Sequence, residues 1–271
     1  MHLRRRRRGN SLTLPGAPAN LARRFMGTER IYQTVLRVAS AHAERHPIRS
    51  HLDIGPGTGR LLRLFRERFG AETRACDYTD ALLKLPGQTV DIVDLNQQKL
   101  PYPENSFDAV TATEVVEHLE RHREVLRDIC RVVKPGGLCV LTTPNILNLN
   151  SRLRFLWFGF WNLFGPLPVK NSALYSTGGH INPVSYFHLA HALLDAGFTD
   201  VTLTVDKYQR SAIPKLVLLF LPLKLLGALA WRTEAKKYRT IDENNAPLVR
   251  AMNSVPVLLG RTIVVAAHKP A

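Results

Sequence analysis

The chain has 271 residues, 45% hydrophobic content and a formal net charge of +15, a profile that fits a globular protein with a real core and excludes a wholly disordered one. Five cations are consecutive, Arg4 to Arg8, and are expected to form a solvated tail that also suits an anionic membrane surface or nucleic acid. Three cysteines, Cys76, Cys130 and Cys139, show no CxxC pairing and are odd in number, which argues against a disulfide framework or zinc site and fits a reducing cytoplasm.

Residues 1–20 read as a flexible basic lead-in, with no apolar stretch after the arginines that would make a secretory signal. Residues 21–271 read as one domain. Ile31, Val35, Val38 and Ala39 recur at helical spacing and predict a helix over 21–46. Strand and helix signals then alternate: a strand at His51–Ile54, a helix at Arg60–Phe69, and strands at Thr73–Cys76, Val90–Asp94 and Phe107–Ala112. A helix around His122–Val133 precedes a turn at Lys134-Pro-Gly-Gly137 and a strand at Leu138–Thr143. Further on come a helix from Asn182 to Phe198, a strand at Val201–Val205 and a last strand at Arg261–Ala267. Such alternation predicts a mostly parallel sheet with helices on both faces.

Gly55-Pro-Gly-Thr-Gly59 joins the first strand to the next helix, where glycines let the backbone turn sharply against a nucleotide-like ligand. The spacing differs from the G-x-G-x-x-G dinucleotide pattern. Asp77 ends the second strand, where a carboxylate can accept from ribose hydroxyls; Asp94 ends the third, with Leu95 beside it for an adenine ring. Each aspartate alone also fits a turn or a helix cap.

With HLDIGPGTG, Asp77, Asp94-Leu95, PYPENSFDAVTATEVVEHL and RVVKPGGLCVLTTPN in this order, the segment 50–145 resembles the class I S-adenosylmethionine (SAM)-dependent methyltransferases. GGHINPVSYFHLAHALLDAGF resembles the segment that follows in their small-molecule and lipid-acting subgroup. The resemblance implies a Rossmann-like seven-stranded sheet with an antiparallel last strand. It also implies SAM contacts at Asp53, Gly55, Gly57, Gly59, Asp77, Asp94 and Leu95, with Glu114 near the methionine end.

Methyl transfer from a sulfonium is an in-line displacement with an activated donor, so orientation and removal of an acceptor proton are what the protein must supply. Glu114-Val-Val-Glu117-His118 is the candidate for that role: on a helix these positions share a face, which would place two carboxylates and an imidazole together. That grouping suits a general base, His118 or Glu117, or a divalent cation such as Mg2+ held by Glu114, Glu117 and His118. Similar Glu-x-x-Glu-His motifs hold metal in ubiquinone-pathway and small-RNA methyltransferases, and many relatives carry one without established metal dependence. His180, after Gly178-Gly179, is a further candidate; it also fits an ordinary surface-loop histidine.

Two apolar insertions complete the pattern, near 150–175 and 207–240. The first is rich in Phe and Trp between Arg152, Arg154 and Lys170; the second, residues 212–231, is broken by Pro214, Lys215, Pro222 and Lys224, which disfavours a spanning helix. A helical cap over the substrate, also touching a membrane, fits both. The expectation is therefore a SAM-dependent methyltransferase acting on an oxygen of a small or lipid-linked apolar acceptor, cytoplasmic and peripheral to the inner membrane face. Nucleic acid is not the expected partner, because the basic residues show no interleaved stacking platform; an RNA methyltransferase and a non-catalytic membrane-associated protein are the alternatives.

Overall fold

A computed structural model describes residues 19–167 and 179–271, with side chains from Thr28 onward. Residues 1–18 of the expected basic tail, and residues 168–175 of the first apolar insertion, lie outside the described residues.

Helix α1 (Ala19–Ala43) leads into β1 (Ser50–Ile54), α2 (Arg60–Phe69), β2 (Glu72–Asp77), β3 (Asp91–Ile92) and β4 (Phe107–Thr113). Then follow α3 (His122–Val132), β5 (Val133–Pro144), α4 (Leu149–Phe158), α5 (Tyr186–Asp195), β6 (Thr199–Val205), α6 (Ile213–Thr233), α7 (Ala246–Ala251), α8 (Val255–Leu259) and β7 (Thr262–His268). The seven strands form one sheet in the order β3-β2-β1-β4-β5-β7-β6, parallel except for β7, which runs antiparallel to both neighbours.

Alternation along the strands feeds two cores. Ala109, Leu138, Val140, Val264 and Ala266 face α1 and α2, where Ile31, Val35, Ala39, Leu61 and Phe65 pack on them. Val110, Ala112, Cys139, Leu141, Ile263 and Val265 face α3 and α5 on the other side. Central strands buried on both faces explain why they read as continuous apolar runs. All three cysteines are free and buried.

Several boundaries differ from the sequence reading: the strand expected over Val90–Asp94 is only Asp91–Ile92, so Asp94 does not end it but lies in the turn that follows. Lys134-Pro-Gly-Gly137 belongs to β5, where the β4 pairing slips between Phe107 and Ala109, so the glycines mark an irregularity within the strand instead of a turn before it. The helix expected from Asn182 begins only at Tyr186, because Ser185 adopts extended backbone and its side chain caps the His188 N–H.

Candidate active site

The carboxyl ends of β1, β2 and β4 border a cleft, the place where open α/β sheets bind ligands. Its lining includes Gly55, Gly57, Asp77, Asp94, Leu95 and Glu114, with Val115, His118 and Leu119 continuing the wall. Thus six of the eight expected cofactor residues share one cleft. Asp53 and Gly59 stand behind it: Asp53 is fully buried in β1, and Gly59 is the N-cap of α2.

All three loop glycines have positive φ, and their surroundings divide them into two kinds. A Cβ on Gly55 would lie 2.6 Å from Val115 Cγ2, and one on Gly59 would lie 2.8 Å from Leu85 Cβ. A Cβ on Gly57 would meet nothing, so the space beside it is open for a ligand.

Three carboxyls set the electrostatics. Burial pushes Asp53 up to about 7, against the hydrogen bond it accepts from Thr111 Oγ1. Burial also raises Asp77, whose Oδ1 accepts from the Tyr78 N–H at 2.7 Å. Glu114 is pushed up to about 7 by burial, opposed by the Arg261 charge and by Thr142. Asp94 is partly occupied as a turn residue, accepting from Asn96 N–H at 3.0 Å and from Gln97 Nε2 at 2.8 Å.

The Glu114–His118 segment is not an α-helix. Glu114 follows β4 with φ +56°, its N–H donating to Thr142, and only a single 3-10 turn spans Val116–His118. Glu114 is thereby held against β5. Glu117, His118 and His180 meet instead, each with a ligand atom within 4.8 Å of the others; Glu114 stands outside this group. His180 was legible in the sequence only as a histidine after two glycines. Its place beside Glu117 depends on the following chain, where the Ile181 and Asn182 N–H groups both donate to the Glu117 carbonyl at 3.0 Å.

Glu117 is fully buried, and neither carboxylate oxygen has a hydrogen-bond partner among the described residues. Burial, then the Glu114 charge, hold its carboxyl well above the usual carboxylate range. His118 Nδ1 lies 2.9 Å from the Gly179 carbonyl oxygen. A carbonyl only accepts, so Nδ1 carries the proton. Burial lowers the imidazole pKa, which leaves Nε2 as a lone pair. The ring meets His180 edge-on at 4.9 Å.

The chain is similar to known proteins by family model, by sequence and by fold. A family model described as methyltransferase domain matches residues 22–203. A ubiquinone/menaquinone biosynthesis C-methyltransferase of Desulfotalea psychrophila is 30% identical over 165 residues, 55% of this chain and 65% of that protein. A demethylmenaquinone methyltransferase of Paenarthrobacter aurescens is 29% identical over 167 residues, 56% of this chain and 62% of that one. The chain thus spans a little under two thirds of the length of these relatives. A SAM-dependent methyltransferase structure from Archaeoglobus fulgidus superposes with a TM-score of 0.55 at 20% identity, covering 89% of this chain and 94% of that one. The Haemonchus contortus phosphoethanolamine N-methyltransferase 2 does so with a TM-score of 0.51 at 16% identity, covering 89% and 53%. Both likenesses concern the fold.

Proposed function

This chain belongs to the class I SAM-dependent methyltransferase family, and from that premise we propose that it transfers the methyl group of SAM to an oxygen of a small or lipid-linked, quinone-like phenolic acceptor. One observation carries the reading: His118 lines the same cleft as the glycine loop and Asp77. A base is thereby placed beside the donor site. Gly55, Gly57, Asp77, Asp94 and Leu95 would seat the cofactor, with Glu114 at its methionine end.

Ile54, Val93, Leu95, Val115 and Leu119 give the cleft an apolar wall suited to an adenine and a ring-shaped acceptor. His118, neutral and bonded through Nδ1, accepts the acceptor hydroxyl proton at Nε2. A phenolate is nucleophilic at oxygen and at the adjacent ring carbon. The same base therefore serves transfer to carbon, the reaction for which the Desulfotalea C-methyltransferase is named. Asp77, Asp94 and Glu114 around the cleft disfavour a phosphate-rich RNA acceptor.

Incubation with labelled SAM and hydroxylated quinones, followed by product analysis, tests the proposal. The expected product is a methyl ether, a methylated ring carbon would move the transfer to carbon, and no product with any phenolic acceptor would remove the reading. His118→Ala is expected to lower kcat by about 10²–10⁴.

A divalent cation is a second proposal, favoured by the convergence of Glu117, His118 and His180 around a carboxylate without hydrogen-bond partners among the described residues. These residues would hold it, and it would stabilise an acceptor oxyanion. A cation-induced rise in melting temperature that disappears in Glu117→Gln is the expected signature; the same rise in both proteins would refute it.

A further inference from the structure

Helix α6, Ile213–Thr233, lies beyond the residues matched by the family model, and the site needs no residue from it. It is apolar on every side. One stripe, Leu216, Leu219 and Leu223, packs against Leu149, Ala212, Leu258 and Leu259. The remaining faces carry Val217, Leu218, Leu221 and Leu225 at 75%, 78%, 68% and 66% exposure, with Leu226 and Leu229 beside them. Helices of such composition are ordinarily buried, and this one has no fully buried residue.

Length and composition alone would let the segment cross a membrane. Its attachments argue for lying flat. Beyond the leucine stripe, Lys215 bonds Asn150 of α4, and the Arg250 guanidinium covers Trp231 at 5.1 Å. A Cβ on Gly227 would stand 3.5 Å from Asn253 Nδ2. The helix is thus fastened to the domain from its first turn to its last, and crossing a bilayer would strip these contacts away.

Charge identifies the surface. Between Ile213 and Arg239 the cations are Lys215, Lys224, Arg232, Lys236, Lys237 and Arg239, against the single carboxylate Glu234. Lys224 lies over the Phe220 ring at 5.7 Å, an arrangement that lets a long cation cover apolar surface while reaching for headgroups. Helix α4 adds exposed Leu156 and Trp157 with Arg154 nearby over Phe158. The pairing of β6 and β5 with β7 gives them the same direction, so α4 and α6 both spring from the carboxyl edge of the sheet, the edge that holds the cleft.

We propose that α6 lies in the interface of an anionic phospholipid bilayer, its leucine face among the acyl chains and its cations among the headgroups, assisted by the exposed end of α4. Docked in this way, the sheet edge with its cleft faces the layer from which an apolar acceptor diffuses.

The test is flotation of the full chain with vesicles of equimolar phosphatidylcholine and phosphatidylglycerol, compared with phosphatidylcholine alone. The wild type is expected to float with the mixed vesicles and to be released progressively by salt. Leu218→Glu/Leu221→Glu/Leu225→Glu alters only exposed positions and is expected to lower partition at least about tenfold while its melting and SAM binding stay unchanged. Equal flotation of this variant, or a wild type that stays at the bottom with both vesicles, would overturn the proposal. So would a lipid-free dimer that the triple variant dissociates, since that assigns the face to a second copy of the chain. Flotation needs no turnover, so its outcome is independent of the methyl-transfer reading.

Discussion

Thr111 Oγ1 donates to Asp53 Oδ1 at 2.6 Å, from the strand next to the one that carries the aspartate. A hydroxyl has one proton to give, so the His51 Nε2 that lies 2.8 Å from the same oxygen must be the donor in that second contact. Burial lowers the His51 pKa to about 3, which keeps the ring neutral with its proton on Nε2, and Phe65 stacks on it at 3.7 Å. The chain His51–Thr111–Asp53 thus holds one buried carboxyl directly beneath the glycine loop.

Thr111→Val keeps the shape and removes both hydrogen bonds, so it is expected to cost about 1–3 kcal/mol, read from denaturant unfolding. Thr111→Ser should recover most of that loss. Equal losses in both variants would show that packing, and not the relay, sets the stability.

The glycine loop separates a folding requirement from a binding one. Gly57→Ala meets no neighbour, so only its positive φ opposes it, at about 1 kcal/mol. Gly59→Ala collides with Leu85 and should destabilise the fold further. By calorimetry, Gly57→Ala is expected to bind SAM at least about tenfold more weakly despite its near-native melting; native affinity would mean the cofactor keeps its distance from this residue.

Asp77→Asn tests the ribose seat. A carboxylate that accepts from two hydroxyls contributes about 1.5–3 kcal/mol more than a water-exposed one, so affinity for SAM should fall by about 10–100-fold. Burial raises the Asp77 pKa above its ordinary value, so the wild-type affinity should also weaken as the pH falls through that raised pKa and the acceptor is protonated. Asp77→Asn should lose this acid limb.

At the opposite edge of the sheet, His42 is stacked between His46 and His268 at 5.1 and 5.2 Å, with its Nε2 buried and without a hydrogen-bond partner among the described residues. Burial, then the charges of His268 and His46, lower its pKa to about 4, against a raising effect of Asp108. Its folded pKa lies below the unfolded one, so its contribution is complete above about 6.5 and is lost as pH falls toward 4. His42→Phe is expected to melt with a smaller acid-side decline over that window; an unchanged decline would place the sensitivity elsewhere.

Local signals made the sheet and the cofactor side of the cleft legible. Glycines with positive φ are demands of the backbone itself, and Asp77 closes its strand, so these are written at fixed places along the chain. The base side was less legible. The spacing of Glu114, Glu117 and His118 reads as a helical face, whereas the bond from the Glu114 N–H to Thr142 ends that periodicity after β4. His180 is brought beside Glu117 by backbone bonds from Ile181 and Asn182, far along the chain, and no periodicity records such a contact. The short helices α7 and α8, whose connecting turn holds Arg152 through Asn253 and which support α6, carry no amphipathic pattern long enough to detect.

The antiparallel strand β7 has a consequence for how the molecule assembles. It sits between β5 and β6, so the edge of β5 stays open until a segment from far along the chain threads in beside it. Backbone groups on the β7 side of β5, from Leu138 to Pro144, find their partners only when β7 is in place. Such long-range closure is of the kind that slows folding, and it ties the central strand β5 to a segment more than a hundred residues further along. A chain lacking that last pairing would therefore expose the β5 edge, an unpaired row of backbone groups open to another strand, while the cleft at β1, β2 and β4 lies on the other side of β5.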